Sequence, residues 1–145
     1  MTEHTPTPVL QSIVLCDWVY TDAATGKKVL AGTFNTLCAQ EFPTAFARST
    51  FVYLCLTDVH HEARVDLRYL DLAENVSLLS LDGIMVMAPS PLDSVEAAIE
   101  IPPLPMPHPG AYLFEVACGG VSLGSVRILV TKLTPDVGSN GHARH

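Results

Sequence analysis

Alternation of apolar and polar residues with a period of two constrains this chain more than any other feature. In "EARVDLRYLD" (residues 62–71), Ala63, Val65, Leu67 and Tyr69 fall on one side and Arg64, Asp66 and Arg68 on the other. Successive side chains of a strand point to opposite faces, so this segment predicts a strand with one buried and one wet face. "SVEAAIEI" repeats the pattern, with Val95, Ala97, Ile99 and Ile101 inward and Glu96 and Glu100 outward. "GAYLFEVA" groups Tyr112, Phe114 and Val116, and "SVRILVTKL" groups Val126, Ile128 and Val130. "TFVYLCLT" is apolar on both faces and reads as a central strand. Turn signals punctuate these runs at short intervals: "TDAATGKK", "EFPTAF", "DVHHE", "LDG", "APSPLD", "IPPLPMPHPG" and "CGG". No segment sustains helical periodicity. The pattern predicts an all-β chain, a single-domain antiparallel β-sandwich of immunoglobulin-like shape with about 8–9 strands. The domain is expected over 10–133, between polar tails at 1–9 and 134–145. "LAENVSLLSLDGIMVM" leaves open one strand, two strands or a short helical turn.

Composition narrows the function. The chain has 145 residues, the size of one ordinary domain, and only 16% are charged. No Lys or Arg occurs between Arg68 and Arg127, and the net charge is -7. Nucleic-acid binding needs clustered cations, so that class is excluded. A charge-poor surface favours apolar patches, which predicts a protein partner or self-association. No apolar run approaches the roughly 20 residues that span a bilayer, and "MTEHTPTPVLQS" has neither the basic nor the apolar region of a secretory signal. The expectation is a cytoplasmic protein with no membrane partner. Cys16, Cys38, Cys55 and Cys118 then read as small, buried thiols.

The candidate sites are few. Gly120-Val121-Ser122-Leu123-Gly124 fits the G-x-S-x-G nucleophile elbow, which needs a strand, a sharp turn and a helix. Here a strand follows, and the only downstream acid and bases are Asp136, His142 and His145 in the tail. The stretch therefore predicts a hairpin, with Gly119 and Gly120 at the bend, Ser122 in the outgoing strand and Gly124 at a bulge or close approach. No catalytic residue is assigned and no cofactor is expected. Asp58, His60, His61 and Glu62 are metal-ligand types in one cluster, but contiguous residues point to opposite sides. They read as a solvated hairpin turn, and a small metal-binding protein or metal-dependent enzyme built on them is the opposing hypothesis. Partners from His4, His108, His142 or His145 would have to come from elsewhere. Asp58, Asp71, Asp82 and Asp93 read as turn-forming residues. Trp18 and Tyr20, two apart on one strand, read as half-buried packing in an edge strand; a sugar-stacking platform is the third reading. Pro102, Pro103, Pro105, Pro107 and Pro109 predict a stiff crossover between strands. "PHPGAYLFEV" places Tyr112 where many immunoglobulin-like sandwiches tie a loop through a tyrosine hydroxyl.

Cys16-Asp17-Trp18-Val19, Asp22, Thr25-Gly26-Lys27, Leu30-Ala31-Gly32-Thr33-Phe34 and Phe42-Pro43 form a run that resembles a family of small uncharacterised bacterial proteins. Pro102-Pro103-Leu104-Pro105 and Pro109-Gly110-Ala111-Tyr112 extend the resemblance over roughly residues 10–133. It implies a bacterial β-sandwich and no reaction. It departs at "YLDLAENVSLLSLDG", where the resemblance implies a plainer Asp-Gly turn. The chain reads as a non-enzymatic protein-interaction or ligand-binding module able to self-associate.

Overall fold

A computed structural model describes residues 6–134, and these form eleven strands. They are β1 (Val9–Thr21), β2 (Lys28–Thr33), β3 (Thr36–Ala39), β4 (Thr44–Phe46), β5 (Thr50–Thr57), β6 (Glu62–Asp71), β7 (Val76–Met87), β8 (Val95–Ile101), β9 (Leu104–Met106), β10 (Gly110–Cys118) and β11 (Val121–Lys132). One sheet has the order β2-β1-β5-β8 and the other β3-β11-β10-β6-β7, while β4 and β9 form a separate pair.

The alternation dictates how the sheets meet. Val65, Leu67 and Tyr69 of β6, Tyr112, Phe114 and Val116 of β10, and Ile128 and Val130 of β11 are all buried. They face Leu15 of β1, Val52, Leu54 and Leu56 of β5, and Ile101 of β8, and together make one core. Tyr69 stacks on Tyr112 with ring centroids 5.4 Å apart, and Phe114 lies 5.0 Å from Tyr69. The chain changes sheets between β5 and β6, between β7 and β8, and again between β8 and β10. Such Greek-key connections between two packed sheets, with a tyrosine corner at the start of β10, define an immunoglobulin-like sandwich. The corner is the one expected: the Tyr112 hydroxyl donates to the His108 carbonyl at 2.5 Å.

Several expectations change. The count of 8–9 strands rises to eleven because β3, β4 and β9 are only three or four residues long, too short for alternation to register. One pair is parallel, β3 on β11, so the sandwich is not wholly antiparallel. The "DVHHE" segment is a crossover between sheets and not a hairpin turn: β5 and β6 lie in different sheets, and Val59 is fully buried at the sandwich end. The uncertain middle segment is a turn at 72–75 followed by the single long strand β7. "LDG" lies inside β7 as an irregularity opposite Asp66, whose carboxylate accepts the Gly83 N–H at 2.8 Å. Gly83 has φ 69°, a left-handed conformation glycine adopts freely, so the same residues serve a bulge as well as a turn.

The closing hairpin is as expected. Gly119 and Gly120 turn the chain with φ 58° and 82°, and Ser122 sits in β11 opposite Ala117. The register shifts between Val116 and Ala117, so Leu123 is the extra residue of a bulge beside Gly124. A Cβ on Gly124 would stand 2.8 Å from Leu10 Cδ2, the expected close approach.

Candidate functional site

The most distinctive surface is the outer face of the β2-β1-β5-β8 sheet. Register fixes its membership. Cys16 pairs with Thr33 on one side and Phe51 on the other, Val14 with Tyr53, Trp18 with Ala31 and Tyr20 with Val29. On β8, Ala98 lies opposite Tyr53, Glu100 opposite Phe51 and Glu96 opposite Cys55. Alternation places all of these on the face turned away from the core. Val14, Trp18, Tyr20, Phe51 and Tyr53 accordingly lie outside the core cluster.

The face is apolar without being covered. Trp18, Tyr20 and Val29 are 44%, 54% and 50% exposed. Trp18 and Phe51 meet edge to face with centroids 4.9 Å apart. Cys16 is fully buried among these side chains although it belongs to the outer face. Burial holds the Cys16 thiol above its ordinary range, so it is not a reactive thiolate at neutral pH. The Tyr53 hydroxyl donates to the Glu96 carboxylate across β5 and β8, which fixes where that charge sits.

Trp18 and Tyr20 therefore share a face, as expected, on a stretch of β1 with one open flank among the described residues. β1 is interior to its sheet; beyond Cys16 it pairs with β2 alone, so this arm projects past β5. Phe51, Tyr53, Glu96 and Glu100 complete the surface and were not singled out as a site by sequence reasoning. The available signal was "TFVYLCLT" itself: a strand apolar on both faces in a two-layer sandwich has one apolar face to spare.

The His cluster does not converge. His60 lines a groove of about 490 Å³ with Glu62, Arg64, Cys118 and the Pro6–Pro8 segment, whereas His61 lines a separate concavity with Met87, Ala88 and Pro89. Asp58 and His61 both have positive φ, 56° and 72°, an uncommon conformation outside glycine. Among the described residues, no three His, Cys, Asp or Glu side chains gather to hold a metal ion. His4, Asp136, His142 and His145 lie outside the described residues. The cysteines are free; Cys16 is buried as expected, whereas Cys55 and Cys118 are only partly buried and Cys38 is exposed on β3, with Sγ 3.1 Å from Thr131 Oγ1. Its strand is at the sheet edge, where among the described residues one flank has no partner strand.

Asp71 does more than form a turn. It is buried, and its Oδ1 accepts the Ala73 and Glu74 N–H groups at 3.1 and 3.3 Å. Its Oδ2 lies 2.7 Å from His108 Nε2, and His108 Nδ1 lies 2.8 Å from the Pro109 carbonyl. Both partners are acceptors, so the ring makes both hydrogen bonds only as the doubly protonated imidazolium. The Pro109 carbonyl and then the Asp71 carboxylate raise the His108 pKa accordingly. Tyr69 donates to the Pro105 carbonyl at 3.0 Å. Asp71, Tyr69 and Tyr112 thus tie the proline-rich crossover to the five-stranded sheet.

Comparison with known proteins gives a family and no activity. A crystal structure of an immunoglobulin-like protein from Pseudomonas aeruginosa is similar at 12% identity, covering 86% of this chain and 97% of that one with a TM-score of 0.47. No curated protein matches the chain. The model of a family of unknown function, DUF6941, matches residues 11–131, and the chain belongs to that family.

Proposed function

We propose that the protein is a non-enzymatic, cytoplasmic interaction module whose contact surface is the outer face of the β2-β1-β5-β8 sheet. The observation that carries this reading is the exposure of Trp18, Tyr20 and Val29 beside Phe51 and Tyr53 on one continuous sheet face. Scattered exposed apolar residues are ordinary, whereas contiguous aromatic patches on soluble domains are typical of contact surfaces. Trp and Tyr are also enriched among the few residues that carry most of the energy at such contacts, because they bury large rings with few rotatable bonds. The outer face of the five-stranded sheet also exposes Met85, Met87 and Leu129, but there Arg64, Asp66, Arg68, Glu115 and Arg127 intersperse charges of both signs among them.

Pull-down of tagged protein from a bacterial host extract tests this. Partners captured by the unmodified chain are expected to be lost with Trp18→Ser and Val29→Ser and kept with Leu129→Ser, which changes the other sheet. Equal capture by all three variants overturns the choice of face. Sedimentation of the purified chain separates a second copy from a different partner.

A further inference from the structure

Resting on that reading of the face, we propose that its partner is an extended segment bearing Lys or Arg, added as a strand along the open edge of β8. Among the described residues β8 pairs with β5 and with no other strand, so one flank of its backbone N–H and C=O groups has no partner strand there. Sheet edges of this kind accept an added strand, with backbone hydrogen bonds giving affinity and alternate side chains giving specificity.

The side chains beside that edge define the specificity. Glu96 and Glu100 both point to the outer face and are exposed. They lie four residue steps apart on the strand, about 13 Å at roughly 3.3 Å per residue. Side chains four apart on an added strand have the same spacing and project to the same face. The outer-face positions of β1, β2, β5 and β8 named above carry no Lys or Arg. Cations on the incoming strand therefore meet two carboxylates and, beyond them, the rings of Tyr53 and Phe51, and both kinds of group attract positive charge.

The same charges disfavour a second copy at this edge. Antiparallel pairing of β8 with itself about Ala98 sets Glu96 of one copy opposite Glu100 of the other, and like charges directly opposite are destabilising. In that register the charges favour a basic strand over self-pairing.

Fluorescence anisotropy of a labelled TTKVTVKTT peptide, titrated with the full chain at low salt, tests the proposal. Its two Lys residues are four apart. Saturable binding is expected, weakened about tenfold by Glu96→Gln/Glu100→Gln, the order expected for two partly exposed ion pairs. Glu41→Gln/Asp82→Asn removes the same charge elsewhere and is expected to change binding less than twofold, and the peptide with Glu for Lys is not expected to bind. Equal weakening by the two double variants overturns the proposal, because it shows general attraction to an acidic chain. Absence of saturation to about 1 mM overturns it as well. If host partners depend on Trp18 and Val29 but not on Glu96 and Glu100, the edge proposal fails and the face stands. If they depend on none of these, both fail.

Discussion

Replacing Tyr112 by Phe removes one oxygen from a fully buried side chain and leaves its ring in place. That oxygen donates to the His108 carbonyl at 2.5 Å and accepts the His108 N–H at 3.3 Å. Desolvation holds the phenol above its ordinary range, so it stays protonated and remains the donor. The ring keeps its stacks on Tyr69 and His108, at 5.4 and 5.6 Å, so the substitution isolates the hydroxyl. The second of the two hydrogen bonds is long and adds little. The main loss is a partly buried carbonyl left without its donor, worth about 1–2 kcal/mol. For a domain of this size each kcal/mol moves Tm by about 4 °C, so Tyr112→Phe is expected to lower Tm by about 4–8 °C. Tyr112→Leu, which also loses both stacks, is expected to cost distinctly more. Calorimetry checks both variants. A Tyr112→Phe midpoint within about 1 °C of the parent refutes the account of the corner, and so does a loss equal to that of Tyr112→Leu.

The imidazolium of His108 makes stability depend on pH. A raised folded-state pKa means that its contribution is complete below the unfolded value of about 6.5 and fades as pH rises through the higher folded value. Urea midpoints of the parent and His108→Gln are therefore expected to differ most near pH 6 and to converge in alkaline solution; a gap that widens with pH contradicts the geometry. Gly83→Ala is expected to cost about 1–2 kcal/mol and Gly83→Asn less, because φ 69° suits Asn better than Ala. Nothing stands within 4 Å of a Cβ at Gly83, so a larger loss for Asn indicates that conformation is not the cause. Ser122→Ala, in an exposed strand position, is expected to shift stability by less than about 0.5 kcal/mol in chemical denaturation.

Alternation was legible wherever one strand face met the core, which is why β6, β8, β10 and β11 could be read with their inward residues named. The proline run was legible too, because five prolines in eight residues stiffen whatever they connect. Asp82-Gly83 misled because a bulge and a turn both call for a left-handed glycine. Sheet assignment was not legible around Asp58–Glu62, since the same short polar segment can close a hairpin or cross between layers. Asp71 and His108 are 37 residues apart and meet only through the Greek-key path, so no local pattern announces their pairing. The proposed contact face was half legible. Trp18 and Tyr20 stood out as a pair, but Phe51 and Tyr53 could be placed beside them only once β5 was known to lie next to β1.

The central claim, that the outer face of the four-stranded sheet is where this protein meets its partner, is tested most directly by photo-cross-linking in living host cells. A photoreactive phenylalanine analogue placed singly at Tyr20, Val29 or Leu129 compares the two sheets within one folded molecule. All three positions are exposed, so each can report an encounter. The account predicts a discrete adduct from Tyr20 and Val29 and none from Leu129. Adducts from Leu129 alone, or in equal yield from both sheets, contradict it.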